Sequence, residues 1–429
     1  MDTGDHSFNR RDLLRGVGGV ATLAAVAPLV LRSSSAGAAT PTALASGVPE
    51  AVGMRSERIE DVFARVQRRV NDGLFPGATA LIARRGVIVG HRAFGNKVAG
   101  ATEPVTLDTM FDVLSMTKVL ATATAVMLLV QQGRLRLTDT VASYLPDFAA
   151  NGKARVTVFD MLRYSAGLPV DNQALDEPDA DTTWRLMAET PLEYAPGTSV
   201  LYSDLTYRLL GRLVEVVAGA DLNSFARAHL WGPLGMRDTM FNPPAALAPR
   251  IAATGYSARR GRVVRGEVQD EQDFALGGIT GCDGVFSTSM DIAIFCQMFL
   301  NGGSYGGVRV LSPQAVLTMA RDQTPQVTAA ATDTSPLSNL LLAPKGLGWE
   351  IWTPRFSHGG TRLSPWSFGK AGGAGTFAWI DPARGLFGVL LTNHGLPEPF
   401  DEPGWNRMLD STGVVEFFDG IVGAVADEC

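Results

Sequence analysis

A chain that carries a β-hairpin near each end, with helical sequence between them, must bring its ends together to bury its strands. Here the apolar runs 78–83 and 87–94 flank the turn Arg84-Arg85-Gly86, and the runs 376–380 and 386–392 flank Asp381-Pro-Ala-Arg-Gly385. A lone two-stranded hairpin is marginal in water. The pattern therefore predicts an α+β architecture with one antiparallel sheet built from N- and C-terminal segments, flanked by helices. Ile59, Val62, Phe63, Val66 and Val70 recur at helical spacing, so 58–70 reads as an amphipathic helix. The region 113–320 is mostly helical by the same criterion, with Pro/Gly loops, and 406–425 reads as a closing helix. Residues 323–345, rich in Thr, Ala, Ser and Pro, read as a long loop. No internal repeat is visible. The expected organisation is one domain over 56–425, with a sheet part at about 56–112 and 346–425 and a helical part at about 113–345. A small-residue, Pro-bearing linker at 39–55 precedes it.

The first 38 residues stand apart. Arg10-Arg11 is followed by Leu13, Leu14 and Arg15, then by a Gly/Ala-rich apolar run to Leu31 and the small-x-small site Ala36-Gly37-Ala38. This pattern resembles a twin-arginine export signal. The run is short of the ~20 apolar residues of a spanning helix, and no second run approaches that length. The expectation is export by the twin-arginine route to a periplasmic or secreted location, with no stable membrane span after cleavage. Net charge is −6, so no basic field points to nucleic acid, and Arg259-Arg260 reads as a solvated loop. Cys282, Cys296 and Cys429 lack metal-ligand spacing. Cys282 and Cys296 could pair in an oxidising compartment, but they read first as buried free thiols, because a chain folded before export folds in a reducing cytosol.

The chemistry is concentrated in three short segments. Ser115 and Lys118 stand at i and i+3 at the start of an apolar helical run, which places a hydroxyl and an amine on one helix face. The helix start favours negative charge on that oxygen. Tyr202-Ser203-Asp204 precedes the amphipathic stretch 205–217, where a phenol could share a proton with the amine. Lys370-Ala371-Gly372-Gly373-Ala374 leads into the strand 376–380, where a lysine could meet a substrate carboxylate and missing side chains would let a substrate approach the backbone. A histidine route has little support. The five histidines are His6, His91, His229, His358 and His394, and Arg163-Tyr-Ser165-Ala-Gly167 lacks the first glycine of a nucleophile elbow. Asp204 reads either as a substrate contact or as a helix cap. Trp349, Trp352 and Trp366 read as core or pocket wall, and His358 as a loop histidine.

These motifs, in this order, resemble those of the serine β-lactamase and penicillin-binding-protein superfamily. The segments 161–169, 233–238, 284–288 and 311–313 resemble in particular its class C branch, which includes DD-peptidases and family VIII esterases. The resemblance covers roughly 56–395 and implies a β-lactamase-like fold with no metal or organic cofactor. It implies that Ser115 is the acylated nucleophile, Lys118 its general base and Tyr202 the partner in proton transfer. Asp204, Lys370, Gly372, Gly373 and Ala374 would then contact substrate. The amide of Ser115 and one near Gly373 or Ala374 would form the oxyanion hole. Two positions depart from the pattern. Asp204 stands where the branch usually has Asn, which removes a donor and could hold Lys118 protonated. Ala371 stands where β-lactamases have Thr.

The reading is an exported serine hydrolase acting through an acyl-enzyme, first of all a carboxylesterase, on a small-molecule ester, amide or β-lactam substrate. The alternatives are a D-Ala carboxypeptidase or weak class C-like β-lactamase, an acyltransferase, and a non-catalytic penicillin-binding sensor. Substrate identity and oligomeric state are not legible at this level.

Overall fold

In a computed structural model that describes residues 43–171, 179–325, 343–354, 358–397 and 402–426, the two hairpins lie side by side. Strands β1 (Ala45–Ser46), β2 (Gly77–Arg84), β3 (Val87–Gly95), β4 (Glu350–Ile351), β5 (Phe368–Gly372), β6 (Thr376–Asp381) and β7 (Leu386–Thr392) form one sheet in the order β1-β3-β2-β7-β6-β5-β4. The ends meet where β2 pairs antiparallel with β7, Leu81 opposite Val389. Every other neighbour is antiparallel except β1 with β3, which run parallel, so the sheet is mixed.

The central strands read as continuous apolar runs because both faces are covered; every residue of β2, β6 and β7 is buried. Helices α1 (Ser56–Asn71) and Val414–Gly423 cover one face. Their approach depends on small residues in the strands. A Cβ on Gly90 would lie 2.4 Å from the Phe63 ring, and one on Gly388 would lie 2.6 Å from Ile421. The apolar helix Ser289–Leu300 packs on the other face against β2, β6 and β7.

A continuous helical run, α2 (Leu114–Gln131), begins as a 3₁₀ turn at Leu114–Met116, widens into a π-helix at Lys118–Ala123 and continues as α-helix from Thr124. At 18 residues it is long and apolar enough to cross a membrane by length and composition, which the sequence reading had not recognised. It is instead 83% buried inside the protein.

Several expectations are corrected. The stretch 39–55 is not a linker from Ala45 onward. Ala45 and Ser46 pair with Val87 and Ile88, Val52 and Met54 are in the core, and Arg84 donates to the carbonyls of Val52 and Gly53. The closing helix is two helices, Glu402–Thr412 and Val414–Gly423, broken at Gly413, whose φ of +63° places it in the left-handed region. Arg260 is not a solvated loop residue. Its side chain is largely buried and donates to Glu271 and to the carbonyls of Val268 and Gln269. Trp349 and Trp352 are core residues, but Trp366 is 73% exposed. Cys282 and Cys296 are free and buried. The export signal, Cys429 and residues 326–342 of the long loop lie outside the described residues. The ends of that loop are pinned together, with Lys345 N–H donating to Thr324 Oγ1.

Candidate active site

The segment ahead of Ser115 is fixed by a small three-stranded sheet, Phe111–Asp112 and Met240–Phe241 on either side of Val285–Ser287. Val113 N–H donates to the Val285 carbonyl, and Val285 N–H donates to Thr117 Oγ1. Between them Leu114 takes φ +41°, a left-handed backbone unusual for a bulky residue, and this turns the chain sharply from strand into helix. The buried Asp112 carboxyl braces the turn by accepting from Leu114 N–H and Gln269 N–H. Burial pushes that carboxyl up to about 7. Ser115, partly exposed, then stands at the corner, with Lys118 one turn on and fully buried.

The π-helix that carries Lys118 leaves backbone carbonyls without their usual partners, and side chains supply them. Thr124 donates to Val119 O, and Trp231 Nε1 donates to Leu120 O. Thr122 donates to the Gly281 carbonyl, tying the helix to the 280–284 loop. That loop comes close because Gly281 and Gly211 face each other. A Cβ on Gly281 would lie 2.0 Å from the Tyr207 carbonyl and 2.6 Å from Gly211 N. The approach delivers Cys282 and Asp283 to Lys118 and Ser115.

Lys118 Nζ lies 2.9 Å from Ser115 Oγ, 2.8 Å from Asp204 Oδ1, 2.9 Å from Cys282 Sγ and 3.7 Å from Asp283 Oδ1. Ser115 Oγ in turn donates to Asp283 Oδ1 at 3.3 Å. Burial pushes the Lys118 ammonium down, but Asp204, Cys282, Tyr202 and Asp283 together hold it well above the ordinary lysine range. Burial pushes Asp283 well up from the usual carboxylate range. Burial pushes Asp204 up too, but Lys118 and Arg208 outweigh it and hold the carboxyl low. Asp204 is therefore not the helix cap. Ser203 caps the helix Asp204–Ala218 through its bond from Thr206 N–H, and Asp204 is the first helical residue, turned to Lys118.

The Tyr202 ring lies between two lysines, 5.0 Å from Lys118 Nζ and 4.5 Å from Lys370 Nζ, and stacks on Tyr164 at 5.0 Å. Burial raises its phenol well above the ordinary range. Among the described residues its hydroxyl makes no hydrogen bond, and Tyr202 lines the cavity above Ser115. Lys370 is fully buried and forms an ion pair with Glu350 at 2.8 Å. Burial lowers the Lys370 ammonium, and Glu350 only partly offsets this. His358, expected as a loop residue, is buried with Nδ1 3.6 Å from the same carboxylate. The sequence reading has Lys370 meeting a substrate carboxylate; in the structure its ammonium lies buried against Glu350, a carboxylate that Lys345 and His358 also face. Gly372 allows β5 to pass the start of α2, since a Cβ there would lie 2.3 Å from the Val113 carbonyl. Ala371 and Gly373 line the cavity, while Ala374 is buried at the β5–β6 turn.

The cavity holds about 460 Å³ and is walled by Leu114, Pro169, Val170, Leu396 and Trp405 on its apolar side. Beneath it Arg208, one turn after Asp204 and fully buried, forms ion pairs with Asp171, Asp270 and Asp273 at 2.7, 3.0 and 2.7 Å. Asp273, Cys282 and Asp283 converge to within 4.8 Å, but Arg208 and Lys118 already engage their polar atoms, an arrangement suited to ion pairing. Thus Ser115, Lys118, Tyr202 and Asp204 are brought together, with Ala371 and Gly373 beside them. Sequence reasoning missed Cys282, Asp283, Arg208 and Glu350. The only local signal was Gly281-Cys-Asp-Gly284, two acidic or thiol groups framed by glycines just ahead of the segment 284–288.

Comparison with known proteins bears on the family and the fold. The Beta-lactamase family profile matches residues 62–412. A relative from Escherichia coli (strain K12), named provisionally as a D-alanyl-D-alanine carboxypeptidase, is 33% identical over 405 residues, covering 85% of this chain and 89% of its own. Among solved structures, a penicillin-binding-protein homologue from Caulobacter crescentus superposes with a TM-score of 0.63 at 22% identity, covering 84% of this chain and 98% of its own. A family VIII carboxylesterase superposes with a TM-score of 0.62 at 23% identity, covering 83% and 96%. At those identities the two structures speak for the fold alone.

Proposed function

The chain belongs to the beta-lactamase family and is a serine hydrolase, and on that premise we propose that it is an exported carboxylesterase working through an acyl-enzyme on Ser115. The observation that carries the proposal is the Ser115 hydroxyl, 2.9 Å from Lys118 Nζ, set at a strained strand-to-helix corner and facing a 460 Å³ cavity. In this reading Ser115 Oγ attacks the ester carbonyl, and its proton passes to Lys118 in the fraction of molecules whose amine is neutral. The Tyr202 hydroxyl, facing the cavity between the two lysines, passes a proton on to the departing alkoxide. Amides of Ser115 and of the Gly373–Ala374 turn stabilise the oxyanion. Water then enters by the same route in reverse and frees the acid. Export rests on the Arg10-Arg11 segment alone.

The choice of ester over D-Ala peptide rests on Lys370. A peptide carboxypeptidase must hold a free C-terminal carboxylate, and Lys370 is fully buried and matched by Glu350. The second reading, a D-Ala carboxypeptidase, is favoured by the name of the 33% identical relative. A panel of 4-nitrophenyl esters and a D-Ala-D-Ala peptide, given to the wild type and to Ser115→Ala, separates them. Ester turnover that disappears in Ser115→Ala supports the proposal. Release of D-Ala exceeding ester turnover would transfer it to the second reading, and ester turnover unchanged by Ser115→Ala would remove Ser115 as nucleophile.

A further inference from the structure

The walls of the cavity above Ser115 carry Asp171, Glu193, Asp204, Asp270 and Asp283, and among the described residues no Lys, Arg or His lines it. The cations nearby lie behind the walls. Lys118 serves Asp204 and Asp283, Arg208 serves Asp171, Asp270 and Asp273, and Lys370 serves Glu350, which the buried Lys345 also faces. Burial pushes the Lys345 ammonium down to about 7, so it opposes the acidic walls less than an ordinary lysine would. Around Lys118 and Arg208, two positive charges thus face five carboxyls, and Glu193 adds a sixth at the exposed rim. The crowding is visible in the acids themselves. Burial and the neighbouring Asp273 push Asp270 up to about 7, and Asp283 is pushed up as well. A cation entering such a cavity relieves repulsion, whereas an anion adds to it with no free partner.

We propose that this site selects substrates bearing an ammonium group, that is amino-acyl esters or amides, and discriminates against substrates bearing a carboxylate. The inference rests on the reading of Ser115 as nucleophile. The apolar wall of Leu114, Val170, Leu396 and Trp405 takes the hydrocarbon part of the acyl chain. Asp171, Glu193 and Asp270 present the carboxylates that face the ammonium, and Glu193, unlike the other two, has no ion pair among the described residues.

The test is a charge series of matched length: the 4-nitrophenyl esters of hexanoic acid, 6-aminohexanoic acid and adipic acid. At low ionic strength the expected order of kcat/KM is 6-aminohexanoate, hexanoate, adipate, with at least about tenfold between first and last. The spread should narrow in about 0.5 M NaCl, where the screening length falls to a few Å, and it should narrow in Glu193→Gln. An adipate ester turned over as fast as the 6-aminohexanoate, or a preference unmoved by salt, overturns the inference. Binding keeps the test independent of catalysis. In Ser115→Ala, 6-aminohexanamide should raise the melting temperature more than adipic monoamide does, and equal or reversed shifts overturn the inference. If the charge order holds while Ser115→Ala still hydrolyses the esters, it is the assignment of the nucleophile that fails instead.

Discussion

Replacing Asp204 by Asn tests what limits the site. The Asp204 carboxylate lies 2.8 Å from the fully buried Lys118 ammonium. At an effective dielectric of about 20, two unit charges at that separation attract by ~6 kcal/mol. Asp204→Asn removes that attraction. If only a quarter of it survives rearrangement and hydration, ~1.5 kcal/mol, the neutral amine becomes about ten times more abundant at any pH below the lysine range. The direction follows from the sign of the perturbation. Asp204 raises the Lys118 ammonium, so its removal lowers it, and the rising limb of a rate that needs neutral amine moves to lower pH. The assay is kcat/KM for 4-nitrophenyl butyrate from about pH 6 to pH 9 in wild type and variant, with a thermal melt to confirm folding. The expected result is a gain of about tenfold that holds across this pH range, because both forms remain below the lysine range. A folded variant whose limb stays in place, with activity near pH 7 unchanged or lower, would refute the claim that Asp204 restrains Lys118.

Two further outcomes follow from the packing and from buried charge. Gly281→Ala drives a Cβ to 2.0 Å from the Tyr207 carbonyl and 2.6 Å from Gly211 N, both backbone atoms. The 280–284 loop must retreat, and ester turnover should fall by about tenfold or more with a melting temperature several degrees lower; wild-type turnover and melting would show that close approach of the loop is not required. Asp112, buried and pushed up to about 7, stays protonated in the folded state over a range where the unfolded chain has released its proton. Its contribution to stability is therefore present below about pH 4 and is lost as pH rises towards about 7, up to ~4 kcal/mol on linkage grounds. Denaturant melts at about pH 5 and pH 7 should show a smaller loss in Asp112→Asn than in wild type, and equal losses would show that Asp112 is not the group responsible.

The fold was legible in the sequence where local pattern and tertiary burial agree. Both hairpins appear within a residue or so of their strands, because the turns at Arg85-Gly86 and before Gly385 take positive φ at residues suited to it or carry glycine. Ser115 and Lys118 were legible because one helical turn separates them. What was not legible depends on distant segments meeting. Asp283 reaches Ser115 across a separation of 168 residues, and it does so because two glycines on different elements let backbones touch. Glu350 pairs with Lys370 from a neighbouring strand, and nothing in the sequence ahead of Phe368 marks it as a partner. For Asp204 the sequence offers three roles, a cap, a substrate contact or a partner that holds Lys118 protonated, and local helix-start propensity does not choose among them. The helix took Ser203 as its cap and left Asp204 free to turn towards a buried ammonium.

Two of the three motifs supply a lysine, and segments outside the motifs supply most of the carboxylates that answer the cations of this site. Lys118 and Lys370 come from the motifs, while Asp283 comes from a glycine-framed loop and Glu350 from an edge strand. Arg208, buried beneath the cavity, is answered by three aspartates from two further segments. Nucleophile geometry and substrate charge are therefore set by different parts of the chain. The corner at Leu114 and the helical turn to Lys118 position the hydroxyl whatever the walls carry. The walls can change the charge presented to a substrate through Glu193, at the exposed rim, without touching Ser115. On the proposed reading, that separation lets motifs that resemble those of the penicillin-binding-protein superfamily coexist with a cavity poorly suited to an anionic substrate.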